Sequence, residues 1–222
     1  MANNESGHQA RSGVGVPPPA AVSFVTTEHF TLQGARSSTI AEATGRASMF
    51  LGAVSGGLVG LGLVASATGV GATFYAFGLI LLPTLAFVGL ATFSRALQSG
   101  IEDYNYAHRI ARLRGYYFQY APELVDYLLS VPQGQRVTIQ GLRGGPWQKF
   151  VTVAGMVSVV TAVLAGSAAG LLAALVSGQL LIAALLTGVL VAIAVLAGLI
   201  RIQTAAWHRV RKASLFPDEQ IS

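Results

Sequence analysis

The chain has 222 residues, of which 53% are hydrophobic and 10% charged, with a mean hydropathy of +0.59 and a formal net charge of +5. An average soluble domain is about 25% charged, so this composition excludes an ordinary water-soluble globule. The absence of cysteine excludes a disulfide framework, a thiolate nucleophile and a cysteine metal site.

The charge deficit is concentrated in two places. Ala47 to Ser94 is a run of 48 positions without Asp, Glu, Lys, Arg or His, and Phe150 to Ile200 is a second run of 51. Crossing the hydrocarbon core takes about 20 apolar residues, so each run is long enough for two crossings and a tight turn. The expected fold is all-α: a polytopic membrane protein with four transmembrane helices in two hairpins and an amphipathic cytoplasmic helix between them. The expected divisions are 1–20, 21–46, 47–94, 95–149, 150–200 and 201–222.

Residues 1–20 are polar and rich in Pro and Gly, with Pro17-Pro18-Pro19 near their end. They read as a disordered tail with a short polyproline II segment. They contain neither the apolar core of a secretory signal nor Gly after Met1 for myristoylation. Residues 21–46 carry Phe24, Phe30, Leu32 and Ile40 in a mildly amphipathic pattern. They read as a membrane-proximal arm leading into the first span.

The first span, Ala47 to Thr68, holds Ser48, Gly52, Gly56 and Gly60 at every fourth position. Such small-residue faces let helices approach closely in lipid. This face is expected to be the most tightly packed of the molecule, against another helix of the chain or a second copy. A turn at Thr68-Gly69-Val70-Gly71 leads to the second span, Ala72 to Ser94. Tyr75 lies at its far end, and Pro83 in its middle is a kink and a candidate hinge.

The polar segment 95–149 begins as a helix, to about Leu129, that can continue the second span. Tyr106, Ile110, Leu113, Tyr117, Tyr120 and Leu124 follow a heptad-like rhythm. This seam packs either on another cytoplasmic helix or on the bilayer surface, with Arg109, Arg112 and Arg114 toward anionic headgroups. Gly115 and Pro122 interrupt it. Pro- and Gly-rich loop follows over 131–148, with a short extended piece at Arg136 to Ile139.

The third span, Phe150 to Ala174, repeats Ser158, Ala162, Gly166, Gly170 and Ala174 at every fourth position. It is the natural partner for the small face of the first span. The turn Val176-Ser177-Gly178-Gln179 leads to a Leu-, Val- and Ile-rich fourth span, Leu180 to Ile200. The tail carries Arg209, Arg211 and Lys212, also suited to anionic headgroups, and ends acidic at Asp218-Glu219. Trp147 and Trp207 are expected as interface anchors at one membrane face.

All fourteen Lys and Arg lie outside the two runs, and neither inter-span turn has any. The positive-inside rule then places both termini and the central segment in the cytoplasm of a cell inner membrane. It also accounts for the +5 charge without nucleic acid. No ionisable group falls within a span, which argues against a proton- or ion-coupled transporter. The span hydroxyls Thr84, Thr92, Ser158, Thr161, Ser167 and Thr187 are expected to bond carbonyls of their own helices.

His8, His29, His108 and His208 are scattered without metal-ligand spacing. His108 with Glu102 and Asp103 reads as a solvated face rather than an acid–base set, the acids pairing with local arginines. There is no phosphate loop, nucleophile elbow or dinucleotide fingerprint, so no catalytic, cofactor or metal site is expected.

A basic aromatic helix, Tyr104-Asn105-Tyr106-Ala107-His108-Arg109-Ile110-Ala111-Arg112-Leu113-Arg114-Gly115-Tyr116-Tyr117, follows a short-turned pair of small-residue-rich spans and a cytoplasmic arm. In this layout, over about residues 30 to 130, the chain resembles small bacterial membrane proteins of the SLATT type. That resemblance implies a pore-forming effector in a conflict system. The sequence reading is therefore a non-enzymatic, self-associating membrane protein, structural, regulatory or pore-forming. The alternatives are a small permease for an uncharged solute and, least, a membrane-embedded enzyme.

Overall fold

The computed structural model describes residues 18–120, 148–178 and 180–213, which are helical apart from turns and caps. The elements are α1 (Pro19–Thr68), α2 (Ala72–Tyr120), a single turn α3 (Gln148–Val151), α4 (Val153–Val176) and α5 (Leu181–Ala213). Four of them, α1, α2, α4 and α5, are long and apolar enough to cross a membrane. The seam position Leu124, the anchor Trp147, the loop and extended piece over 131–147 and the acidic end lie outside the described residues, as do the Tyr117 and Tyr120 side chains.

α1 starts where Pro19 supplies a helical φ and needs no amide partner. It then runs for 50 residues with no break at Arg46, where the charge-free run begins. α2 likewise passes from span to polar segment without interruption at Arg95. At 1.5 Å per residue each helix is about 75 Å long, more than twice the ~30 Å hydrocarbon core. The arm and the central helix are thus extensions of the spans.

The two helices lie side by side along most of that length. Gly60 meets Phe77 and Gly57 meets Leu81 and Leu85 near the turn. Phe50 meets Gly89 further along, then Glu42 meets Arg95 and Arg36 meets Asp103. These partners sit at matching distances on either side of Gly69. That residue has φ 70° and ψ −177°, a region open to glycine almost alone. Gly69→Ala is expected to cost about 1–3 kcal/mol through this backbone conformation alone, since no described residue crowds the site, and the cost is readable as a lowered thermal midpoint in detergent.

The four long helices form a row. α2 packs on α1 and on α4, and α4 packs on α5, while α1 and α5 occupy the two ends. The core joins Phe50 and Val54 of α1, Leu82, Leu85 and Phe93 of α2, Val157 and Leu164 of α4, and Leu199 of α5. None of the residues in the most apolar stretch of α5 is buried within the chain. Met49, Ile80, Phe87, Ile182 and Leu190 also point outward. So much exposed apolar surface suits lipid and would drive association in water.

α4 opens on a cap. Thr152 is extended, and its hydroxyl accepts the Gly155 amide at 3.0 Å, satisfying one of the orphan donors of a helix start. That cap divides α3 from α4 just after the second charge-free run begins.

Candidate functional site

Two small-residue faces were candidates for close contact, and their surroundings differ. On α4, a Cβ added at Gly166 would lie 2.5 Å from the Gly188 carbonyl oxygen and 2.7 Å from Ala192. One added at Gly170 would lie 2.9 Å from the Ala184 carbonyl oxygen. Ser158 and Ala162 of the same stripe are buried. The face that receives Gly166 and Gly170 is Ala184, Gly188 and Ala192 of α5, itself spaced by fours. This complementary stripe was visible in the sequence but hidden in a Leu- and Val-rich span.

On α1 the expectation is corrected. Ser48, Gly52 and Gly56 are exposed, and among the described residues no atom outside their own helix comes within 4 Å of a Cβ built at Gly52 or Gly56. Gly60 has only the Phe77 ring, at 3.9 Å. The two small faces do not meet. The inward stripe of α1 is instead Leu32, Arg36, Thr39, Ala43, Ala47, Phe50, Val54 and Gly57, a three-and-four rhythm that holds one line on a helix. A strict four-residue step overshoots the 3.6-residue turn by about 40°. The glycine stripe therefore winds across the outer side and reaches the inner side only near Gly60.

The hydroxyls inside the bundle are bonded locally. Ser158 donates to the Gly155 carbonyl at 2.6 Å and Thr161 to Val157 at 2.7 Å. Thr84 and Thr92 donate to Ile80 and Val88. Thr161 fits against Gly89 of α2, where a side chain would collide with it and with Phe50. The ring of Pro83 is exposed, and α2 continues through it as a helix.

Beyond the apolar spans, α1 and α2 are tied by charge. Arg36 donates from Nε to Asp103 Oδ1 at 2.5 Å and from Nη2 to Oδ2 at 3.4 Å. Glu42 accepts from Arg46 and from Arg95, each at 2.9 Å. These bonds, chiefly from Arg95 and then Arg46, hold the Glu42 carboxyl below its usual range. Asp103 was expected to pair locally; its partner lies 67 positions away because the arm runs alongside α2. The pairs are partly exposed and screened by solvent, so they set register more than stability.

Of the seam residues, Ile110 is buried and Tyr106 and Leu113 are half-buried. Leu32 of the arm is buried too. Arg109, Arg112 and Arg209 are exposed, as is Lys212, while Arg114 is half-buried.

Desolvation, with Arg114 as a second cause, lowers the pKa of His29 from its usual 6.5. The folded histidine therefore holds its proton less tightly than the unfolded one. Its contribution to stability is whole above pH 6.5 and is lost as pH falls below that value. Amides of the α1 arm are expected to exchange faster at pH 5 than intrinsic rates predict, and His29→Gln is expected to abolish the excess in hydrogen-exchange mass spectrometry.

Where α1, α2, α4 and α5 leave the apolar layer they line a cavity of about 170 Å³. Ile40 and Ala43 of α1, Asp103 of α2, Thr152 at the α4 cap, and Gln203 and Trp207 of α5 line it. Gln203 donates to the Thr152 hydroxyl at 3.4 Å. Trp207, the expected interface anchor, packs edge-on against Tyr104, ring centres 5.6 Å apart. Tyr104 also stacks on His108, whose Nδ1 meets the Tyr104 carbonyl at 2.9 Å. No local spacing marks this cluster, because its residues come from four helices between Ile40 and Trp207. Among the described residues no group of three or more His, Cys, Asp or Glu is placed to hold a metal.

The chain matches no family model, no curated protein and no solved structure.

Proposed function

We propose that this is a non-enzymatic, multi-pass inner-membrane protein that self-associates through the outward glycine face of α1, in a structural or pore-forming role. The four spans form two hairpins, with the amphipathic continuation of α2 between them and both termini in the cytoplasm. One observation carries the reading: of two similar small-residue faces, that of α4 is filled by α5 at Gly166 and Gly170, while Ser48, Gly52 and Gly56 face away from the other described helices. Glycine costs about 1 kcal/mol relative to alanine in a helix interior, and a face of them supports close backbone approach by a neighbouring helix in lipid. A second copy of the same face is the simplest such neighbour. The likeness in layout to SLATT-type effectors points the same way, toward assemblies that open a membrane.

Chemical cross-linking and native mass analysis in mild detergent test the proposal. Dimers or larger species are expected for the natural chain, together with leakage of the host membrane on expression. Gly56→Leu is expected to reduce both at least ten-fold while leaving the fold intact. A monomer under all mild conditions, or an unchanged leak, overturns it.

A further inference from the structure

The cavity at the charged end of the bundle is electrically neutral. Among the described residues that line it, Asp103 is the one ionisable group, and Arg36 neutralises it through two hydrogen bonds. Glu42, Arg46 and Arg95 pair among themselves outside the lining. Ala43, Leu97, Val153 and the Trp207 indole make much of the wall apolar, with Tyr104 packed edge-on to hold that indole in place. The volume is about 170 Å³. An apolar cavity of ~150 Å³ takes up benzene, so there is room for a single ring and a short substituent.

We infer that this cavity binds a small uncharged alcohol, its apolar body against Trp207 and its hydroxyl between Ser99 and Asp103. Of the polar lining, Thr152 and Gln203 are bonded to each other, and Thr44 is exposed. Ser99 differs from these. It lines the cavity and is only 6% exposed, and among the described residues its hydroxyl has no hydrogen-bond partner. Buried polar groups are normally bonded, so this one calls for a partner inside the cavity. Asp103 follows four positions later on the same face of α2, and residues so spaced hold their Cβ atoms about 5–6 Å apart. Its Oδ2 makes only the long bond of 3.4 Å to Arg36, and a carboxylate has about four acceptor sites. One hydroxyl set between the two side chains accepts from Ser99 and donates to Asp103, leaving the Arg36 pair intact. An ammonium or a carboxylate in its place brings an unpaired charge into a neutral, largely apolar space, which is costly.

The inference goes beyond self-association and does not depend on it. The test is the fluorescence of Trp207 in the full chain in mild detergent, with Trp147→Phe removing the other tryptophan. The probes are benzyl alcohol, toluene, benzylammonium and benzoate. Benzyl alcohol is expected to shift the emission saturably and to bind about ten-fold or more tighter than either charged probe. Ser99→Ala is expected to weaken benzyl alcohol about five-fold and to leave toluene unchanged, a contrast that partition into the micelle does not produce. Helicity by circular dichroism is the folding control. No saturable shift with benzyl alcohol overturns the site and leaves the cross-linking result untouched. Equal or tighter binding of a charged probe overturns the selection for an uncharged ligand. Benzyl alcohol unchanged by Ser99→Ala, or weakened no more than toluene, overturns the place given to its hydroxyl.

Discussion

Gly166→Leu is expected to abolish the cooperative unfolding transition of the bundle. A Cβ at this position already falls 2.5 Å from the Gly188 carbonyl oxygen and 3.2 Å from the Ala192 amide nitrogen. Both are backbone atoms, so no rotamer change relieves the collision. The helices must separate, and α5 has little else to hold it, since its main neighbour is α4. Overpacking of flexible cores costs about 1–3 kcal/mol and occasionally more; against fixed backbone we expect at least about 3 kcal/mol. Gly56→Leu is the matched control, because among the described residues no atom outside its own helix comes within 4 Å of a Cβ there. It is expected to change monomer stability by no more than about 0.5 kcal/mol. Thermal unfolding in detergent, followed by circular dichroism, separates the two. A Gly166→Leu protein with the natural midpoint would falsify the α4–α5 contact.

Phe50→Ala is expected to be the most damaging truncation of a large side chain. Phe50 is 2% exposed, and its ring reaches over Gly89 of α2 beside Thr161 of α4, so one side chain joins three helices. In a water-soluble core such a change costs about 3–5 kcal/mol. In a bilayer the transfer part largely vanishes, because lipid tails are as apolar as the protein interior. The cavity part remains, at about 24 cal/mol per Å³, which for a void approaching 100 Å³ is about 2–3 kcal/mol. Phe50→Leu, leaving a much smaller void, is expected to show only a minor part of that loss. The measurement is the midpoint of unfolding in mixed micelles, and an effect of Phe50→Ala no larger than that of Gly56→Leu would exclude the wedge.

Several features were legible because they depend on one helix alone. The turn glycines Gly69 and Gly178 both adopt positive φ, as their positions between apolar runs suggested. The hydroxyls Thr84, Thr92, Ser158 and Thr161 bond to carbonyls three or four positions back, a choice set by helix geometry. The partner of each small face was not legible. Ser48-Gly52-Gly56-Gly60 and Ser158-Ala162-Gly166-Gly170 carry the same rhythm, and rhythm says that close approach is permitted, not what approaches. Nor did Asp103 announce Arg36, or Trp207 announce Tyr104, since such pairs follow from where long helices lie side by side.

What the amino-acid order settled unaided is which stretches can tolerate lipid: an unpaired charge in hydrocarbon is costly, so 48 and 51 uncharged positions mark four apolar helices wherever they pack. What only the assembled helices decided is which face of each looks inward. On α1 the inward face went to Phe50, Val54 and Gly57 and away from Ser48, Gly52 and Gly56, because a ring that fills the notch at Gly89 brings three helices into dense contact. Dispersion rewards such complementary shape, and shape belongs to pairs of helices rather than to either one.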